Sequence, residues 1–562
     1  MAASQNGDDP PVAPDFNLID EPWIPVVTLD GGAETVSLAD LFRRAPELRR
    51  IDGEIGTQSF ALLRLCLAIL QRAFDHYLDE GYDPVPMVED LREQWTDAAV
   101  PDIVDYLAQH RDRFFLFHPT APFFQVAGMT TDKGEVSSLN KIVAERPPFL
   151  ATRSRRGLRS IDPADAARWL VHVHAFDVSG IKTGVAGHPR AKGGKVYPEG
   201  VGWAGQLGGL HLVGANLKDT LLLNVAAAEV DANRRRRDLP PWEREVAVVG
   251  EEQHLAERPF GPVDLYTWQA RRVRLVGSRD AVTGVVLTYG DRFVIQERQD
   301  LLGVEPMTGW RYSKPQTAKY KRDIRMPREH RAESRLWQGM GPLVRPVNLR
   351  PVEEGLPSRL IDHAAKLVLA GSPLLPNGLV RLQAVGAVYG SQSSVLDDIY
   401  EDDLDLPAAL LDPQNPELRQ AAIDAVDAAR AGANAARQLG ENLAKACGAS
   451  RESLEGPKER AQENAYSRLD GPYRAWLRTT LPALGPIAAQ ARWHDEASRL
   501  LDELGREMVA QVPPNAWRGY DAKGKRDDVG RVFVWFRNAL AKAFPHRSNT
   551  VSDGSVDKKE VS

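Results

Sequence analysis

A change of texture near Leu406 constrains the fold of this chain more than any other feature. From 210 to about 400, short β-like runs (LHLVGAN, VRLVG, AVTGVVLTYG, RFVIQE) alternate with turns. Beyond Leu406 the chain follows a helical period, first in PAALLDPQNPELRQAAIDAVDAARAGANAARQLGENLAKA and then over 472–480, 487–512 and 528–544. Strands bury alternate residues and helices bury every third or fourth, so segregated periods predict segregated units. The reading is an α+β chain: a large mixed N-terminal domain over 15–405 and a C-terminal four-helix bundle over 406–545. Residues 1–14 and 546–562 are polar and poor in apolar side chains, which predicts disordered ends.

Within the first domain, FNLIDEPWIPVVTLDGGAETVSLADLF reads as a strand over 23–29, a Gly-Gly turn, a second strand, and a helix begun by Ser37. A buried helix is expected over 57–77 and one amphipathic helix over 88–111. In FFLFHPTAPFFQV, Phe114, Phe115, Phe117, Phe123 and Phe124 read as core. Asp162 is placed to cap a helix over 162–176, with Pro163 at its first position. His172 and His174 on that helix point about 200° apart, so one is expected buried and the other exposed.

Composition excludes several function classes. The 562 residues include only two cysteines, Cys66 and Cys447, with no CxxC and no Cys/His cluster, so neither a metal nor a cofactor is expected. The N-terminus matches neither a signal nor a transit peptide, and the apolar run at 61–70 is interrupted by Arg64 and too short for a membrane span. A cytoplasmic protein without membrane contact is expected. The formal net charge of −6 confines any nucleic-acid contact to local patches. No HExxH, nucleophile elbow or kinase set is present, and GHPRAKGGKV departs from a P-loop in spacing, with valine at the Ser/Thr position. The acidic stretch DDIYEDDLD, Asp397–Asp405, reads as a solvated loop; its alternative is a metal-dependent nucleic-acid-processing site.

Binding chemistry concentrates elsewhere. Residues 180–209, GIKTGVAGHPRAKGGKVYPEGVGWAGQLGG, hold ten glycines with Lys182, Arg190, Lys192 and Lys195, and Glu199 is the single acid. Missing Cβ atoms let the backbone approach a ligand, and the cations suit phosphate. Arg153, Arg155, Arg156 and Arg159 form a basic loop before the Asp162 helix, and Arg234 to Arg237 form a run of four. Arg271, Arg272 and Arg274 lie in a strand-like YTWQARRVRL, where at least one should face inward or pack on Trp268. The stretch 306–335 reads as a long loop with six arginines and three lysines among Trp310, Tyr312 and Tyr320. In VYGSQSSVLDD, Gln392 between Ser391 and Ser393 reads as an amide presented on a turn, able to donate and accept as base edges require.

These segments resemble the CasA family, the large subunit of the type I-E CRISPR surveillance complex Cascade. The carrying motifs are LIDEPWIPV, FFLFHPTAPFFQ, the glycine segment ending GQLGG, DTLLLNV, YTWQARRVRL and YGSQSSVL, in family order over roughly 16–400. The resemblance implies a non-catalytic subunit that reads the protospacer-adjacent motif (PAM) of target double-stranded DNA from the minor groove. It further implies that the subunit seeds strand separation for guide-RNA pairing and helps recruit a separate helicase-nuclease. It places Gly200, Val201 and Gly202 at the groove and makes Gln392 a wedge beneath the PAM. The family's minor-groove lysine has no counterpart in RFVIQERQD, where Arg298 or Gln296 stands in its region. By the same resemblance, Arg153, Arg155, Arg156 and Arg159 contact guide RNA and a backbone subunit. Arg492, Lys523, Lys525, Arg526, Arg531 and Arg537 are the candidates for the displaced strand, near a small-subunit partner. A scaffold binding only RNA or protein is the third reading.

Overall fold

The computed structural model describes residues 13–545 except 76–83, 96–99, 145–157, 226–229, 251–254, 330, 345–355, 376–377, 519 and 523–524. Of the ends read above as disordered, 1–14 and 546–562, the segments 1–12 and 546–562 lie outside the described residues. The chain divides into two compact units, one of residues 1–336 with 342–404 and one of 337–341 with 405–562.

The first unit opens with the antiparallel strands Ile24–Thr28, Ala33–Val36 and Leu48–Ile51, the first of them central. Ser37 caps the helix Leu38–Arg44 by accepting from the Asp40 N–H. The helix Gly56–Ala73 is buried along nearly its whole length. At its centre the fully buried Arg64 makes a two-pronged ion pair with Glu305 (Nη2–Oε1 2.8 Å, Nη1–Oε2 3.1 Å). Its guanidinium lies 4.6 Å from the Phe60 ring and 4.9 Å from that of Tyr266, so the charge is buried with partners on its edge and its faces. Beyond it, Phe114, Phe123 and Phe124 are core, with Phe123 and Phe124 stacked at 4.2 Å, while Phe115 and Phe117 are half-buried.

The region expected as one helix over 88–111 holds two, Pro84–Gln94 and Pro101–Gln109, because Pro101 suits a first turn and not an interior. The helix Pro163–Phe176 is capped by Asp162 as its sequence requires, but both of its histidines are buried. His172 bonds to Thr57 Oγ1 at 3.0 Å and His174 to the Phe124 carbonyl at 2.9 Å, so the helix is enclosed on both sides. Arg271–Gly277 pairs with Val282–Tyr289, whereas RFVIQE is irregular and ends in a turn over 295–297, not a strand. The stretch 306–335 is a structured excursion in place of a long loop: Trp310–Tyr312 pairs with Arg325–Pro327 around the helix Lys314–Tyr320. A three-stranded sheet sets Leu379–Tyr389 between Leu396–Pro407 and Leu210–Leu212. The acids Asp397–Asp405 thus lie on a strand and not a loop. Among them Glu401 accepts from the Gly56 N–H (3.0 Å) and Asp402 from that of Leu336 (2.6 Å).

The second unit is a helical bundle of Pro416–Ala446, Glu455–Ala475, Leu481–Ala510 and Val529–Ala543. The polar helix Glu455–Ala475 has no counterpart in the sequence reading, which began a helix only at 472; the segment 472–480 is its end plus a wide turn at Trp476–Thr480. Alanines 422, 425, 429, 433 and 436 line the buried face of the first helix. Onto that face Tyr473 and Trp493 donate to the carbonyls of Ala422 and Ala425 (both 3.1 Å), and Trp337 stacks on Tyr473 at 4.4 Å. Among the described residues no helix is long and apolar enough to cross a membrane.

Burial pushes His172 down to about 3 and His174 to about 4, from 6.5. The unfolded chain therefore takes up these protons first, so their contribution to stability is complete above pH 6.5 and is lost as pH falls toward 4. Asp238, pushed up to about 7 by burial, acts in the opposite sense, so the comparison must be between variants. Relative to wild type, His172→Gln should lose less stability between pH 6.5 and pH 5, by about 2 kcal/mol at ~1.4 kcal/mol per pH unit, in urea melts. Parallel pH profiles for the two proteins would contradict the neutral, buried assignment.

Candidate nucleic-acid interface

The glycine segment is tied down by a buried ion cluster. Asp177 follows the helix Pro163–Phe176 directly; its carboxylate accepts from Arg271 Nε and pairs with Lys182 Nζ at 2.6 Å. Burial alone would raise this carboxyl, but the two cations outweigh it and hold it below its ordinary value. The Arg271 fork also donates to the carbonyls of Asp177 (3.2 Å) and Gly200 (3.0 Å), and its plane lies 4.7 Å from the Tyr289 ring. The Tyr289 hydroxyl donates to the Gly180 carbonyl at 2.7 Å and accepts from the Gly180 N–H at 3.1 Å. Two adjacent side chains thus fix both Gly180 and Gly200.

Gly200 is half-exposed with φ +112°, while Val201 and Gly202 are buried. A Cβ on Gly202 would lie 2.4–2.5 Å from the backbone of Ala175 and Phe176, so glycine is required there for close approach to the helix end. Of the segment's cations, Lys182 is spent on Asp177, and Arg190 on Glu199 (2.7 Å) and the Gly290 carbonyl (2.9 Å). Lys192 and Lys195 are exposed. The far end of the segment is held through the Gly208 N–H, which donates to Thr308 Oγ1 (2.9 Å), itself bonded to Glu305 (3.1 Å).

Gln392 stands exposed at the turn between Leu379–Tyr389 and Leu396–Pro407, with φ 54° and ψ 21°; Ser393 follows at φ 53°. Two successive non-glycine residues in the left-handed region are held there by local bonds. Ser393 N–H donates to the Gly390 carbonyl (2.9 Å), Ser394 N–H to that of Ser391 (3.2 Å) and Gly390 N–H to that of Val395 (3.1 Å). The Ser393 carbonyl accepts from the Ser179 N–H at 2.7 Å, one residue before the glycine segment. Turn and glycine segment therefore share an anchor, and between them opens a cleft of about 640 Å³. Val201, Gln206, Gln296, Arg331, Tyr389 and Ser393 are among its lining.

Gln296 is thus brought into the site. Arg298 is turned elsewhere, onto both oxygens of Asp300 (3.0 and 2.9 Å) and the Pro259 carbonyl (3.2 Å), as befits a cation between an acid and a chain reversal. Sequence reasoning missed Asp177, Gln206, Tyr289 and Tyr389. Read as inward-facing at one position or more, YTWQARRVRL buries both Arg271 and Arg272, the latter on Asp291 (2.6 Å); Arg258 is the arginine over Trp268.

The family of CRISPR-associated protein Cse1 matches residues 17–504. The chain belongs to the CasA/Cse1 family. These are the large subunits of Cascade. It is 30% identical over 520 residues to CasA/Cse1 of Thermus thermophilus, covering 90% of this chain and 92% of that protein. The crystal structure of Thermobifida fusca Cse1 superposes with a TM-score of 0.83 at 40% identity, over 95% of this chain and 99% of the other. A chain of a CRISPR RNA-guided surveillance complex has the same fold, with a TM-score of 0.63 at 20% identity, over 94% and 100% of the two chains.

Of the remaining residues that the Cse1 resemblance marks, Arg153, Arg155 and Arg156 lie outside the described residues, and Arg159 is exposed beside them. In the helical unit Arg492 is exposed, Arg531 lies 5.1 Å from the Trp535 ring, and Arg537 pairs with Asp502 at 3.1 Å. Lys525 and Arg526 sit on the short strand Lys525–Asp527, and Lys523 lies outside the described residues. Among the described residues, no group of three or more His, Cys, Asp or Glu side chains could hold a metal ion.

Tyr289→Phe removes both bonds to Gly180 and should cost roughly 1–3 kcal/mol while speeding amide exchange at Gly180. Arg271→Met leaves buried Asp177 with Lys182 as its remaining cation and takes the donor from the Gly200 carbonyl, and should cost about 3 kcal/mol. Unchanged exchange in Tyr289→Phe would mean the phenol does not hold the segment.

Proposed function

We propose that this Cse1-family chain reads the PAM of target double-stranded DNA and starts strand separation for guide-RNA pairing, without catalysis of its own. It does so in the cytoplasm as part of Cascade, beside backbone and small subunits and guide RNA, and it helps to recruit a separate helicase-nuclease. The observation that carries this reading is the shared anchor: Ser393 of the glutamine turn is bonded to Ser179 at the root of the glycine segment. A groove-reading backbone and an amide wedge must keep a set spacing if docking is to lead to opening.

In this reading the half-exposed Gly200 meets the floor of the minor groove, with Val201 and Gly202 setting its position from beneath. The minor groove offers a degenerate pattern of acceptors, so contact by backbone and small groups tolerates several PAM sequences. Gln296 lines the cleft wall, and in this reading it substitutes for the family's lysine, its amide replacing charge with a donor and an acceptor. Gln392, flanked by Ser391 and Ser393, enters below the PAM and unstacks the first pair at a cost of roughly a few kcal/mol. The metal-dependent enzyme reading has less support, since Glu401 and Asp402 of the acidic strand accept backbone N–H groups.

The test uses assembled Cascade with this chain and duplex targets carrying or lacking the PAM. Gln392→Ala should leave initial docking within about two-fold but slow strand opening by at least ten-fold, read by a fluorescent base analogue in the first pair. Equal losses in both steps would remove the wedge role. A wild-type complex indifferent to the PAM would remove the whole reading.

A further inference from the structure

The glycine segment contains a rigid hairpin that the PAM-reading contacts leave unused. Lys182–Thr183 pairs with Lys195–Val196, and Lys192 and Lys195 exchange both backbone hydrogen bonds (2.8 and 3.2 Å) around Gly193 and Gly194. Those glycines have φ of +58° and +73°, the two left-handed residues that a tight two-residue turn requires. The hairpin is pinned to the body at several points. Besides Lys182 on Asp177 and Arg190 on Glu199, His188 Nε2 bonds to the Tyr289 carbonyl at 3.0 Å.

The charge on this hairpin divides cleanly. The two cations at its base are neutralised internally, whereas Lys192 and Lys195 at its tip are exposed and make no ion pair with a described residue. As a hydrogen-bonded cross-strand pair their Cα atoms stand about 5.5 Å apart, and like charges placed opposite one another destabilise a strand pair. The neighbour across from Lys195 is Thr183, which offers no relief. Tyr197, 61% exposed, adds an uncharged donor beside them. Two exposed lysines carried on one tight turn of a chain of net charge −6 form a local basic patch.

We infer that the tip of this hairpin, through Lys192 and Lys195, binds the phosphate backbone of the target duplex next to the PAM and contributes affinity without sequence preference. The assignment to duplex DNA rests on the proposed function, because the tip belongs to the same segment as Gly200. Phosphate contacts position a protein on DNA, and base-edge contacts specify.

The experiment compares assembled Cascade containing wild-type chain with Lys192→Gln/Lys195→Gln, titrated against PAM-bearing and PAM-less duplexes at 50–200 mM KCl. Two lost phosphate contacts should reduce the slope of log affinity against log salt by roughly 1.8, so wild type should lose about 12-fold more affinity than the variant across that range. Affinity for both duplexes should fall by the same factor, leaving the PAM ratio unchanged, and since the substitution removes two exposed like charges set opposite one another, melting should hold or rise slightly. An unaltered slope overturns the inference while leaving PAM recognition standing. Loss of guide RNA from the purified variant complex also overturns it, by assigning the lysines to RNA. PAM indifference in wild type refutes the proposed function, yet the salt slope still reports whether the hairpin touches DNA.

Discussion

Burying Asp177 with Arg271 and Lys182 takes three charges out of water, and such a cluster is tolerable only when nearly every donor and acceptor is matched. The matching is what gives the glycine segment a shape. The Arg271 fork reaches its target geometry only if the Gly200 and Asp177 carbonyls converge on it, and the Gly202 N–H donates to the same Asp177 carbonyl at 2.8 Å. A sequence with ten glycines in thirty residues would otherwise be among the most mobile parts of the molecule. Here the conformational entropy of those glycines is opposed by a few strong, geometrically demanding contacts. Flexible backbone and an inflexible anchor together yield a surface that is bare of side chains and still ordered.

The Arg64–Glu305 pair repeats this logic at the other end. It too is fully buried, and through Thr308 it fixes Gly208. Between these two anchors buried Val201, Trp203 and Leu207 add apolar packing to the ionic contacts, so the order of the segment depends on partners remote in the chain. The glutamine turn adds the third constraint. Left-handed Gln392 and Ser393 carry backbone strain of the order of 1–3 kcal/mol each, and such residues persist where their surroundings over-determine them. The bond from Ser179 to Ser393 is part of that determination.

Local signals were legible in the sequence and distant partnerships were not. The Ser37 cap, the Asp162–Pro163 start and the change of texture near Leu406 are properties of adjacent residues, and each appears in the structure. The helix Glu455–Ala475 escaped because its exposed face is so polar that only Ala461, Ala465, Leu469 and Tyr473 mark the buried stripe. His174 was expected to alternate with His172 in exposure, which holds for a surface helix and fails for one packed on both sides. At the site, the glycines and Gln392 could be singled out from composition and neighbours alone. That Arg298 is occupied by Asp300, or that Arg271 seeks Asp177 ninety-four positions away, follows from tertiary placement and from no local pattern.

Preorganisation links these features to the proposed opening of DNA. A wedge must offset the stacking it disrupts, roughly a few kcal/mol per step, and any ordering of the wedge itself would add to that cost. Because Gln392 already occupies its strained turn in the free chain, that ordering is completed during folding and does not burden binding. The same would hold for Gly200, whose carbonyl Arg271 already fixes within the chain. The inferred role of the hairpin tip extends the pattern to charge, since Lys192 and Lys195 are carried on a tight turn whose backbone is already paired. In the proposed function the backbone at Gly200 and the amide at Gln392 are set in position by contacts within the chain. Under that proposal the energy available on docking is free to act on the duplex, and an acidic protein of this size would need no broad basic surface to engage it.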